Sequence, residues 1–303
     1  MVSADSQTRH RTMLITGATG FIGSRLAGVA LNRQYVVRSL SRSDWTGPPA
    51  VPREQRYRGS LPEAIPGEVM QGVDVVVHCA ACVDEGEKIA TAVNVAGSIR
   101  LAALAIKEGV ESFIYLSSQS SRPDALSIYG KTKYAAEQVL LSLNEINVIV
   151  LRPGLVVGPG STGLYQRLNR IVGSMPVIPL LGGGRAIVQP IHVDDLCAAI
   201  IRCDELGKTL NKATLKLGCP QGLTLAEFLQ AIAQARLRGP KRTLSIPLWP
   251  VEFVVRHFER IGISLPLTSG NLKGLKSVEK MDTAADMARL NLILRPLNEM
   301  LLN

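Results

Sequence analysis

From Thr12 onward the chain alternates short apolar runs with segments whose apolar residues recur every three or four positions. The runs TMLIT, YVVRSL, GVDVVVHCAA, SFIYLSS and NVIVLRPG have strand length. GVDVVVHCAA is apolar without interruption, as expected of a strand buried on both faces. Between them lie FIGSRLAGVALNRQ (21–34), TAVNVAGSIRLAALAIKEG (91–109) and YGKTKYAAEQVLLSLNE (129–145). The first of these puts Ile22, Leu26, Val29 and Ala30 on one helical face, and Gly109 ends the second. Strand alternating with helix in this way predicts an α/β domain with a parallel, doubly wound sheet.

Past RPGLVVGPG the pattern loosens, and glycine and proline cluster through 158–190. IHVDDLCAAIIRC then restores a helix from near Val193, with Asp194 and Asp195 in the first turn, where the helix dipole favours negative charge. TLAEFLQAIAQARLRG predicts another helix, capped by Thr224 with Glu227 three residues on. Residues 241–303 read as helical pieces broken by prolines. In that stretch LWPVEFVVRHFERIGISLPL (248–267) is a short helix between Pro250 and Pro266, expected to cover a cleft in preference to lying on a membrane. No internal repeat or low-complexity segment is present.

The chain has 303 residues, 46% hydrophobic and 19% charged, enough apolar material for a packed core. Lys and Arg outnumber Asp and Glu by 34 to 25, a formal charge of +9. With no dense basic block and only 4% aromatics, this balance favours small anionic ligands such as phosphates over nucleic acid. Residues 1–11 are polar and read as a flexible tail, not a signal peptide. No run of about 18 apolar residues predicts a membrane span. Five cysteines without an export signal suit a reducing cytoplasm.

TGATGFIG joins the first strand to the first helix and spaces Gly17, Gly20 and Gly23 as G-x-x-G-x-x-G, with Thr19, Phe21 and Ile22 between them. Such glycines allow a tight turn and a close backbone approach, and the following helix aims free N–H groups at a pyrophosphate. The fold expectation is therefore a Rossmann-type dinucleotide-binding domain. At the end of the second strand an NAD site usually has a carboxylate. RSLSRSDW offers Arg38, Ser39, Ser41 and Arg42 there, with Asp44 further on, which favours the 2′-phosphate of NADP over NAD.

TGATGFIG, GVDVVVHCAA, NVAGS, FIYLSS, YGKTK, RPGLVVGPG and IHVDDL, in that order, make the chain resemble the extended short-chain dehydrogenases/reductases, from Thr12 to about Leu217. The resemblance implies an NAD(P)-dependent enzyme. It implies that Tyr129 and Lys133 are the family's Tyr-x-x-x-Lys, that Ser118 is the catalytic Ser/Thr, and that Ala80 and Ala81 line the cofactor. It also implies that Pro153 to Val156 lie near the nicotinamide and that Asn94 supports the site. On a helix, Tyr129 and Lys133 share a face while Lys131 points elsewhere. A phenol titrates near ~10 in water, and a neighbouring ammonium is expected to lower that value. Hydride transfer at a carbinol or keto carbon would then be matched by proton exchange at Tyr129.

Several departures bear on the substrate. Gln119 and Ser120 follow Ser118 where sugar-nucleotide dehydratases carry Asp-Glu, so elimination is not expected. Val188 and Gln189 stand where epimerases often have an arginine for the diphosphate, and the nearest arginine is Arg185. Gly59 to Leu61 read GSL in place of Gly-Asp-Leu. The leading substrate is a nucleotide sugar, for epimerisation or 4-keto reduction. The alternatives are reduction of a steroid-like or other apolar ketone, and a non-catalytic NAD(P)-binding subunit or redox sensor, which would have no need of Ser118, Tyr129 and Lys133 together. Cys79 and Cys82 have Cys-x-x-Cys spacing without a second pair, and His192 with Asp194 and Asp195 reads as a helix start, so no metal is expected. The domain division expected is a tail at 1–11, a dinucleotide domain at 12–160 joined again by 186–217, and a substrate region at 161–185 and 218–303. The helices near 91–108 and 129–144 resemble those that pair in family homodimers.

Overall fold

The computed structural model describes residues 9–44, 51–83, 85–260 and 279–302. Residues 1–8 of the tail and Pro266 lie outside the described residues. A seven-stranded parallel sheet organises the chain in the order β11-β6-β5-β4-β1-β2-β3. These strands are β1 (Thr12–Thr16), β2 (Val36–Ser41), β3 (Arg56–Arg58), β4 (Val75–His78), β5 (Ser112–Leu116), β6 (Asn147–Pro153) and β11 (Ala213–Leu217). The chain runs outward from β1 to β2 and β3, then returns to the other side of β1 at β4. The crevice beyond the ends of β1 and β4 is thus the topological switch point, where ligands of such sheets bind.

Alternation along each strand sends side chains to two cores. Met13, Ile15, Val75, Val77, Ile114, Ile149 and Leu151 pack beneath α1 (Phe21–Asn32) and α5 (Val193–Leu206). Leu14, Val76, Phe113, Tyr115, Val148 and Val150 face α2 (Glu87–Lys107) and α3 (Ile128–Ser142). Each such aliphatic side chain removed from water contributes about 1.5–3 kcal/mol. By length and composition α2 could cross a membrane, but here Leu101, Ala102 and Ala105 are buried in the second core.

A smaller lobe holds a third core of Val157, Tyr165, Leu168, Val172, Phe228 and Ile232. It is built from β7 (Leu155–Val157), α4 (Leu164–Ser174), β8 (Ile178–Leu181), α6 (Leu225–Leu237), β13 (Thr243–Ile246) and α7 (Leu248–Arg260). Within 186–217, β10 (Pro190–His192) pairs with β7 in a separate two-stranded sheet, α5 lies against α1, and β11 adds to β6 of the large sheet.

The structure departs from the sequence expectations at four places. The helix expected from 91 begins at Glu87 and contains a π turn over Ala92–Ala96. β3 was not expected, because a three-residue polar strand has no periodicity to read. Pro250 lies inside the first turn of α7, where its missing N–H has no intrahelical partner to lose, and so does not bound that helix. Thr243–Ile246, in a stretch expected to be helical, pairs with β8 as a parallel strand. The expected cap is present: Thr224 accepts from the Glu227 N–H while Glu227 accepts from the Thr224 N–H.

Candidate active site

The loop after β1 is a cradle that side chains would fill. Gly17 has φ +67°, and a Cβ there would lie 2.9 Å from Ala80 Cα and N. A Cβ at Gly23 would lie 2.3 Å from the Gly17 carbonyl oxygen. Thr19 and Gly20 are exposed at the turn, while Phe21 and Ile22 open α1 and lean on the core. No side chain caps α1 and no acidic residue stands in its first turn, so its leading N–H groups remain available to an anion. The residues fit the pyrophosphate of a dinucleotide: close backbone approach, open donors and a dipole of the right sign.

Facing this loop is the strip Cys79–Cys82, which leaves β4 and contains Ala80 and Ala81. It is fixed by a directional chain of hydrogen bonds. The Ala80 N–H donates to Thr16 Oγ1 (3.3 Å). Ser98 Oγ donates to the Asn94 carbonyl (2.7 Å), leaving its lone pairs to accept from His78 Nε2 (2.9 Å). His78 therefore carries its proton on Nε2, and Nδ1 accepts from the Thr16 hydroxyl (2.6 Å). Complete burial pushes the imidazole down to about 3, so it stays neutral. Asn94, in the π turn, accepts from the Cys82 N–H (2.8 Å) and donates to the Cys82 carbonyl (2.9 Å) and to Thr132 Oγ1 (3.0 Å). Its amide is taken up by the Cys79–Cys82 strip and the α3 helix, so Asn94 braces these two elements against each other. The thiol of Cys79 is pushed up to about 12 by burial, and Cys79 and Cys82 are both free cysteines.

Helix α3 presents the candidate catalytic pair. Ser127 caps it by accepting from the Gly130 N–H. Gly130 admits the preceding loop, because a Cβ there would lie 2.4 Å from the Ser120 carbonyl oxygen. Lys131 is exposed and Lys133 is buried, as their helical phases require. Lys133 Nζ donates to the Leu116 carbonyl (2.7 Å) and lies 4.5 Å from the Tyr115 ring centre and 5.9 Å from that of Tyr129. One turn further on, buried Glu137 pairs with Arg152 of β6. The expectation that Lys133 lowers the Tyr129 phenol is corrected here. Burial pushes Tyr129 up to about 12, and burial pushes Lys133 down to about 8. Both groups are driven towards their neutral forms, since desolvation penalises each charge. Ser118, in the loop after β5, shares its hydroxyl with Ser120 Oγ (3.0 Å). Pro153 ends β6 beside Leu217, and Val156 sits in β7, which follows directly in the chain and pairs with Ile191.

At the outer end of the crevice, Arg42 follows β2 and is exposed, whereas Ser39 is buried. Arg38 is committed elsewhere, to Gln55 Oε1, to the backbone carbonyls of Val69 and Gln71, and to the Tyr57 ring face. Register brings exposed Arg58 of β3 beside Ser41. Sequence reasoning missed Arg58 because only strand pairing brings it to this corner.

Gln189, the residue in place of a diphosphate arginine, is fully buried and uses all of its amide capacity. It accepts from the Met281 N–H (2.6 Å) and Gln119 Nε2 (3.3 Å). It donates to the carbonyls of Met281 (2.9 Å) and Cys219 (3.1 Å). Asp194 and Asp195 are likewise engaged: Arg25 and Arg295 pair with Asp194, and Arg295 also pairs with Asp195. His192 Nδ1 accepts from the Asp194 N–H (3.2 Å).

Comparison with known proteins places this geometry among relatives. The model of the NAD dependent epimerase/dehydratase family matches residues 13–211. The chain is 28% identical to UDP-glucose 4-epimerase of Vibrio cholerae over 272 residues, which covers 79% of this chain and 80% of that one. It is 27% identical to 3 beta-hydroxysteroid dehydrogenase/Delta 5-->4-isomerase of Mycobacterium tuberculosis over 303 residues, covering 88% of this chain and 81% of that one. Among solved structures, MoeE5 in complex with UDP-glucuronic acid and NAD superposes with a TM-score of 0.75 at 22% identity, covering 96% of each chain. That likeness is one of fold.

Proposed function

The chain belongs to the NAD-dependent epimerase/dehydratase family, and from that premise we propose that it oxidises, reduces or epimerises a carbinol or keto carbon with Tyr129 as proton donor and acceptor. The observation that carries the proposal is the Tyr129–Lys133 pair on one face of α3, beside a glycine cradle whose open donors fit a dinucleotide. The nicotinamide, when bound, supplies hydride exchange. A neutral Tyr129 is in the right form to give its proton to a ketone oxygen. Ser118 Oγ, turned from Ser120, hydrogen-bonds the same oxygen. Lys133, held beneath by the Leu116 carbonyl, orients the cofactor ribose.

The first substrate reading is a nucleotide sugar. Its support is charge: residues 161–185 and 218–260, which make up most of the smaller lobe, contain nine Lys or Arg against three Asp or Glu. The second is a steroid-like or other apolar ketone, favoured by Gln189, whose spent amide leaves nothing at that position for a diphosphate. For the cofactor we propose NADP, its 2′-phosphate lying between Arg42 and Arg58. Each guanidinium is exposed, and each can donate two parallel hydrogen bonds to phosphate.

One experiment tests these readings together. The purified chain is offered UDP- and GDP-sugars with NADP or NAD, and 4-keto nucleotide sugars and 3-keto steroids with NADPH or NADH, and products are followed by cofactor absorbance and chromatography. Turnover of a nucleotide sugar supports the first reading, turnover of the steroid the second, and none with either class overturns both. NADP should bind more tightly than NAD, and Arg42→Ala should weaken NADP about tenfold while leaving NAD within about twofold. Tighter binding of NAD by the unaltered protein rejects the 2′-phosphate site.

A further inference from the structure

The tip of the smaller lobe combines exposed apolar and basic side chains, which the proposed chemistry does not use. Trp249 and Phe253 of α7 are 74% and 72% exposed. Four residues apart, they form one outward stripe, while Val255 of the same helix is buried at 3%. His257 continues the stripe, its ring stacked on Phe253 with centroids 6.5 Å apart. Leu244 of β13, Leu237 at the end of α6 and Met175 just past α4 are also exposed. Contacts join these elements: β13 pairs with β8, Arg236 donates to the Asn169 carbonyl of α4, Lys241 donates to the Val172 carbonyl, and Leu248 at the start of α7 packs against Gly182 just after β8.

Exposed arginines lie among the apolar groups. Arg236, Arg238 and Arg242 are in the same stretch of chain as Leu237 and Leu244. Of the three acidic residues in 161–185 and 218–260, Glu227 is engaged in the Thr224 cap and Glu252 has a partner within the protein. A helix with an aromatic outer stripe, set in a basic surface, matches an interface of apolar and anionic groups in one plane. Charge decides the occupant: nine Lys or Arg against three Asp or Glu over 161–185 and 218–260 suit an anionic surface. A lipid surface needs only aromatic wedges and cations at the headgroup level.

We propose that this tip docks on an anionic lipid surface, with Trp249 and Phe253 inserted at the headgroup boundary and Arg238 and Arg242 on lipid phosphates. The cleft would then be held beside the membrane, a position suited to a substrate with a lipid portion. The docking surface itself is independent of whether the Tyr129 chemistry holds.

Flotation of the full chain, cofactor included, with vesicles of phosphatidylglycerol and phosphatidylcholine at about equal parts tests it, against vesicles of phosphatidylcholine alone. A Trp45→Phe background leaves Trp249 as the reporter of insertion. Binding to the anionic vesicles with a blue-shifted Trp249 emission is expected. Trp249→Ser/Phe253→Ser should weaken it about tenfold or more, and Arg238→Glu/Arg242→Glu should do the same. These positions are exposed, so circular dichroism should be unchanged. Absence of flotation with anionic vesicles overturns the proposal, as does undiminished flotation of the aromatic double variant. Self-association in light scattering that the same substitutions abolish, without vesicle binding, overturns it in favour of a second copy as the occupant.

Discussion

Single residues decide the chemistry through burial more than through proximity. Tyr129 and Lys133 are near each other, yet burial pushes the Tyr129 phenol up to about 12 and the Lys133 ammonium down to about 8, because the protein around them is a poorer solvent for charge than water. Removing only the hydroxyl is the direct test. Tyr129→Phe should keep cofactor affinity within about threefold and lower kcat by about 10²–10⁴-fold. Turnover at the original rate would remove Tyr129 from the scheme. His78 provides the pH test. Its ordinary value near ~6.5 belongs to the unfolded chain, and the folded value is about 3. Between those two pH values the unfolded chain binds a proton that the folded one refuses, so stability falls as pH drops through 6.5 towards 3. At pH 5 this one group should cost about 2 kcal/mol relative to pH 8. His78→Phe leaves Thr16 and Ser98 without their ring partner and should be less stable at pH 8 by about 1–3 kcal/mol, with a shallower acid slope. Urea midpoints at the two pH values measure both effects, and equal slopes in the two proteins would rule out His78 as their source.

At the scale of elements, legibility followed periodicity. The principal strands and the helices at 21–34, 129–145 and from near Val193 were readable, because a two-residue or 3.6-residue repeat marks the buried face in the sequence itself. The Thr224–Glu227 cap was readable for the same reason, as its partners are three residues apart. The π turn at Ala92–Ala96 was not. Its extra residue is retained because Asn94 is thereby aimed at Cys82 and Thr132, partners 12 and 38 residues away. Helices α2 and α3 pack side by side on one face of the sheet and leave Ile89, Ile99 and Ile128 exposed. Pairing of two copies through these helices would cover them. Light scattering at micromolar concentration is therefore expected to give twice the chain mass, and the mass of one chain would refute the pairing.

For the whole molecule, the sequence by itself determined the alternation of strands and helices and the glycine turn at Gly17–Gly23, while the resemblance to a family singled out Ser118, Tyr129 and Lys133 as candidates. The alternation and the turn are local patterns, set by turn chemistry and side-chain periodicity along a continuous stretch of chain. Tertiary structure alone decided how the distant segments are used. It closed Gln189 into a bonded junction with Gln119, Cys219 and Met281, brought Arg58 beside Ser41, and tied Arg38 into the sheet edge. It also reversed the expected direction of the Tyr129 shift and turned Trp249 and Phe253 outwards on the smaller lobe. The physical reason is common to these cases. Burial and hydrogen-bond satisfaction depend on what the rest of the chain brings to a residue, and neither quantity is written in its near neighbours.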